Sequence, residues 1–124
     1  MPRTVLIALG GLVGSVARYW LAGLVQRAFG SSFPAGTLTV NVLGSFVVGI
    51  VMALALERGM LGEDTRLLLA TGFCGGFTTM STFGYETLAM IEAGQIVSAL
   101  ANVAASLVTC VGAAGIGQLV GRAI

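Results

Sequence analysis

Apolar residues run almost unbroken through four stretches of the chain, residues 5–25, 36–56, 66–91 and 96–120, and polar residues gather between them. A helix that crosses a bilayer needs about 20 predominantly apolar residues. The pattern therefore predicts an all-α membrane protein with four transmembrane helices, and residues 1–124 form a single domain with no room for a second core. Gly30 and Pro34 punctuate the first connection, and Glu92-Ala93-Gly94-Gln95 makes the last one. The second, around Glu57-Arg58-Gly59 and Gly62-Glu63-Asp64, is the most charged part of the chain. Arg3 and Ser15-Val16-Ala17 weakly resemble the start and cleavage site of a leader, but the apolar run continues past them, which favours a retained span.

The third stretch departs from the others. Between Thr71 and Gly84 it holds the glycines Gly72, Gly75, Gly76 and Gly84 and the hydroxyls Thr71, Thr78, Thr79, Ser81 and Thr82. Each interior glycine weakens a helix by about 1 kcal/mol relative to alanine. Two readings fit. One is a helix broken near the midplane, with its freed carbonyls facing a protein-lined polar space. The other is a continuous helix whose glycines allow close packing.

Composition narrows the class. Hydrophobic residues make up 56% of the chain and charged residues only 9%, against about 25% charged in a soluble domain. A soluble monomer and a disordered chain are both excluded. There is no run of positive charge for nucleic acid. All six basic residues are arginine and there is no histidine, so no nucleophile–base pair for an enzyme is evident. Cys74 and Cys110 lie in apolar surroundings and read as small hydrophobes. Four spans place both termini on one side with Arg3, Arg58, Arg66 and Arg122, against Arg27 on the other, which favours cytoplasmic termini.

Polar residues inside the spans carry the candidate chemistry. Thr37, Asn41 and Ser45 repeat at i, i+4 on the second span, and Asn102, Ser106 and Cys110 do so on the fourth. Either stripe alone fits interhelical hydrogen bonding, worth about 0.6 kcal/mol on average. Two stripes beside a glycine-rich third span favour a narrow polar path. Glu86 is the one acidic residue well inside a span, whereas cation pores use acidic rings and proton-coupled exporters use carboxylate relays. Hydroxyls and amide N–H groups suit an anion. The positive edge of Phe83 could add to them, although ordinary packing also accounts for a single phenylalanine. Arg18, two-thirds along the first span, fits either a water-filled pathway or a side chain snorkelling to the headgroups.

Gly75-Gly76-Phe77-Thr78-Thr79-Met80-Ser81-Thr82-Phe83, followed by Glu86, resembles the third-helix signature of the Fluc family of fluoride channels, also known as CrcB. Gly36-Thr37-Leu38-Thr39-Val40-Asn41-Val42-Leu43-Gly44 resembles its second-helix motif, and Gly10-Gly11, Gly14 and Arg18-Tyr19 its first. The resemblance implies an antiparallel, dual-topology homodimer in the cell inner membrane that exports fluoride passively. It implies a structural sodium ion on the dimer axis, held by the backbone carbonyls of Gly75 and Thr78 from each copy. Asn41 matches the pore asparagine, Arg18 the vestibule arginine and Glu86 the acidic position. Thr37, Ser81, Thr82 and Ser106 match the polar track. Two positions depart from the pattern. Met80 stands where the family has the first of two phenylalanines, and Asn102 stands where an aromatic residue such as tyrosine is expected.

Two other readings remain at this point. A small multidrug exporter also has four spans, but it depends on a first-span glutamate that is missing here. A non-transporting assembly subunit would use glycine faces such as Gly117 and Gly121 against partner helices.

Overall fold

The computed structural model describes residues Met1–Ile124 and consists of helices and their connections, with no strand. Helix α1 spans Arg3–Phe29 and α2 spans Ala35–Met52, the latter continued by a wider helical turn over Ala53–Glu57. Residues 63–77 form α3, whose middle part, Leu67–Cys74, is also wound wider than an α-helix. Helix α4 spans Met80–Glu92 and α5 spans Ile96–Ala123. Three helices are long and apolar enough to cross a membrane: Arg3–Phe29, Ala35–Glu57 and Ile96–Ala123. The stretch 66–91 is divided between α3 and α4. Thr78 (φ −93°, ψ 161°) and Thr79 (φ −152°, ψ 115°) between them are extended.

The connections follow from local chemistry. Gly30 ends α1 in the left-handed conformation that glycine tolerates, and its N–H bonds the Gln26 carbonyl at 3.1 Å. The Gln26 side chain then pins the turn that follows. Its Nε2 donates to the carbonyls of Ser31 and Phe33, both at 2.9 Å, and its Oε1 accepts the Gly36 N–H at 3.0 Å. At the other end of the molecule, Arg3 pairs with Glu63 at 3.0 Å and Arg122 with Glu57 at 2.5 Å. The charged loop between α2 and α3 thus meets both chain termini. Arg58 Nη1 also donates to the Arg122 carbonyl there.

Helices α1 and α3 run parallel, and so do α2 and α5. Small residues let each pair approach backbone to backbone. A Cβ on Gly14 would lie 2.1 Å from the Phe73 carbonyl oxygen, and one on Gly117 would lie 2.1 Å from that of Phe46. Gly117 and Gly121 therefore pack on α2 within the chain, which removes them from the partner-facing role that an assembly subunit would require. Large apolar side chains stay exposed instead along α1, α4 and α5, among them Trp20, Met80, Tyr85 and Val108. A surface of this kind suits lipid or a second polypeptide rather than water.

Candidate functional site

The junction between α3 and α4 is held open by side chains. In a continuous helix the Thr79 N–H would go to the Gly75 carbonyl, and the Thr82 N–H to that of Thr78. Instead the Thr79 N–H donates to Asn41 Oδ1 at 2.8 Å, and Thr82 N–H donates to Thr79 Oγ1 at 3.2 Å. Asn41 Nδ2 donates in turn to the Thr79 carbonyl at 3.2 Å. Thr79 is thereby the N-cap of α4, and the carbonyls of Gly75 and Thr78 receive no hydrogen bond within the chain. Thr78 itself donates through Oγ1 to the Cys74 carbonyl at 3.0 Å, ending α3.

The junction packs on α2 because of one glycine. A Cβ on Gly44 would lie 2.2 Å from Thr78 Cγ2, so only glycine leaves room for the extended pair. From α1, Arg18 Nε donates to the Gly76 carbonyl at 3.0 Å. Arg18 is therefore tied through Nε to the last turn of α3.

A groove of about 360 Å³ opens where α2, α5 and the junction meet. Asn41, Ser45, Thr78, Met80, Phe83, Ser106 and Cys110 line it, with Thr79, Gly44, Val48, Leu107, Val111 and Ala114. No lining side chain is charged. Ser106 is 8% exposed, and its Oγ is buried with no hydrogen-bond partner.

Of the residues singled out by sequence, the groove gathers Asn41, Ser45, Thr78, Met80, Phe83, Ser106 and Cys110. The two polar stripes face one another across it, but each loses its first member. Thr37 is buried one turn before Asn41 and does not line the groove. Asn102 is 1% exposed and donates through Nδ2 to Thr87 Oγ1 at 3.0 Å. Ser81 and Thr82 sit at the start of α4 around Thr79, Thr82 Oγ1 being 2.9 Å from Thr79 Oγ1. Gly75 is exposed on the last turn of α3. Glu86 is half-buried, with Oε1 shielded and unpaired.

Sequence reasoning named Thr79 only among the hydroxyls of the third stretch, without its capping role, and passed over Thr87. Thr79 was visible as a hydroxyl three residues before Thr82, the spacing of a helix cap. Thr87 carried no signal apart from its hydroxyl, because its partner is on another helix.

Residues 5–118 match the family described as CrcB-like protein, Camphor Resistance (CrcB). A fluoride-specific ion channel FluC from Geobacter sp. (strain M21) is 43% identical over 124 residues, covering 100% of both chains. The protein of the same name from Thermus thermophilus is 46% identical over 124 residues, 100% of this chain and 98% of that one. That from Geobacter sulfurreducens is 49% identical over 110 residues, 89% of each.

Proposed function

The chain belongs to the CrcB-like family, and from that premise we infer that it is a fluoride-specific ion channel that lets fluoride leave the cytoplasm passively. The observation that carries this reading is the uncharged groove with the buried, partnerless hydroxyl of Ser106 beside Asn41 and Phe83. Fluoride is small and strongly hydrated, so a path must replace its water with well-placed donors. Ser106 Oγ–H is free to donate. Asn41 has two amide N–H groups and gives one to Thr79, which leaves one for an anion. Phe83 adds a positively polarised ring edge, and Met80 fills the shape where a second ring would stand.

One copy does not complete such a path. The groove is roughly ten times the ~30 Å³ that one water occupies, and Met80 on its rim is 75% exposed. A second copy would narrow it and cover the exposed face of α4. In the reading we favour, α3 and α4 form one interrupted span, so that each subunit has four spans. Two subunits then insert antiparallel in the inner membrane as a dual-topology homodimer within the lipid bilayer.

A sodium ion fits the junction. The carbonyls of Gly75 and Thr78 are released from their helical donors, and hard oxygens of this kind suit an alkali cation. Two such carbonyls from each copy would hold the ion. When bound, it supplies a fixed positive charge close to the groove. Arg18 adds a second positive charge at the Gly76 end of α3 and orients that turn.

Physiological logic agrees with the direction of export. HF crosses membranes as a neutral acid and dissociates inside, so the trapped anion needs a protein route outward. Liposomes holding the purified protein test the reading. Fluoride should leave without ATP or a proton gradient while chloride is retained. Efflux that demands either energy source would overturn it.

A further inference from the structure

Helix α4 carries Phe83 but has little to hold it. Its outer face exposes Met80, Tyr85, Leu88 and Ile91, and its packing within the chain is mainly against α5. Asn41 secures the residue just before its first turn. Farther along, a single side-chain hydrogen bond ties α4 to α5, from Asn102 Nδ2 to Thr87 Oγ1 at 3.0 Å. The Thr87 hydroxyl then donates to the Phe83 carbonyl at 2.7 Å. The result is a two-bond chain from α5 to the backbone of Phe83 itself.

Asn102 is almost wholly buried, so water does not compete for its amide. A bond of this kind is directional, whereas apolar packing between two helices tolerates rotation of one about its axis. Because Thr87 is one helical turn beyond Phe83, holding the Thr87 hydroxyl fixes the rotation of the turn that aims the Phe83 ring into the groove. Ser106, one turn beyond Asn102 on the same face of α5, lines that groove directly. The two successive members of the α5 stripe thus divide the work: one faces the groove, and the other faces α4.

We propose that Asn102 and Thr87 are positioning residues, which orient Phe83 in the groove and so set how well it passes fluoride. This rests on the fluoride-channel reading. It assigns to Asn102 a role behind the path rather than a lining role within it.

The test combines fluoride efflux from liposomes with a fluorine NMR signal from 4-fluorophenylalanine placed at position 83. Asn102→Leu and Thr87→Val each break the chain with little change in volume. Each should slow efflux per folded protein about three- to tenfold, the range expected when one hydrogen bond is lost. Thr87→Val with Asn102→Leu should slow it no further than either alone, because both act through one connection. Thr87→Ser keeps the hydroxyl and should match the unsubstituted protein. Both single variants should shift or broaden the signal from position 83 in the same way.

Unchanged efflux in both single variants, additive losses in the double variant, or slowed efflux with an unmoved fluorine signal would each overturn the proposal. If the unsubstituted protein passes no fluoride, the channel reading fails on its own. The fluorine signal then still decides whether Asn102 and Thr87 orient Phe83.

Discussion

Asn41 and Thr79 exchange two hydrogen bonds in opposite senses, Thr79 N–H to Asn41 Oδ1 at 2.8 Å and Asn41 Nδ2 to the Thr79 carbonyl at 3.2 Å. The primary amide presents its acceptor and donor side by side, so it takes the place of the helical partners that Thr79 gives up. Asn41 therefore has two tasks: it keeps the junction between α3 and α4 extended and offers its remaining N–H to the groove.

Replacing Asn41 with Asp separates those tasks from simple loss of size. The carboxylate still accepts from the Thr79 N–H but has no donor for the Thr79 carbonyl, and it adds a negative charge where an anion must pass. Fluoride efflux from liposomes is expected to fall by at least tenfold. Asn41→Ala removes both bonds and should lower stability by about 1–3 kcal/mol, read from thermal unfolding in detergent. Full activity in Asn41→Asp would remove Asn41 from the path.

Gly44 and Thr78 allow a paired test. In Gly44→Ala the new methyl would meet Thr78 Cγ2 at 2.2 Å, and relief requires either the Thr78 side chain to rotate off the Cys74 carbonyl or the junction to move. Overpacking of this kind costs about 1–3 kcal/mol. Adding Thr78→Ser deletes the clashing methyl while keeping the hydroxyl that bonds the Cys74 carbonyl. We expect Gly44→Ala to lose most fluoride efflux and the double variant to regain much of it. An inactive double variant would show that the junction is not limited by this contact.

Arg18 is separable into charge and geometry. Arg18→Lys keeps the positive charge but lacks the Nε that donates to the Gly76 carbonyl at 3.0 Å. Hydrogen bonds from charged groups contribute about 1.5–3 kcal/mol. The lysine variant should therefore unfold at lower temperature and conduct more slowly. If efflux and unfolding temperature both match the unsubstituted protein, Arg18 acts through its charge alone.

Cation dependence tests the Gly75 and Thr78 carbonyls. Exchanging sodium for a large organic cation during purification should lower the unfolding temperature and reduce fluoride efflux, and returning sodium should restore both. Equal behaviour in the two media would leave those carbonyls without the proposed ion.

The helices themselves were legible in the sequence, because unbroken apolar runs of about 20 residues satisfy their backbone within lipid as helices. The long runs gave α1, α2 and α5 to within a few residues, and Gly30, Pro34 and Gly94 marked the turns. Spacing at i, i+4 places Asn41 with Ser45 and Ser106 with Cys110, each pair on one face, and all four line the groove, whereas Met80 and Phe83 are marked in the sequence by the resemblance of the third-helix motif. Spacing does not say which neighbour that face meets. Only the fold turned Thr37 and Asn102 away from the groove, gave Arg18 to a carbonyl on α3, and brought Asn41 to Thr79, 38 residues along the chain. Those outcomes depend on how closely small residues let helices approach and on where each buried polar atom finds its partner. Both are properties of helices packed together, and neither is written along any one of them.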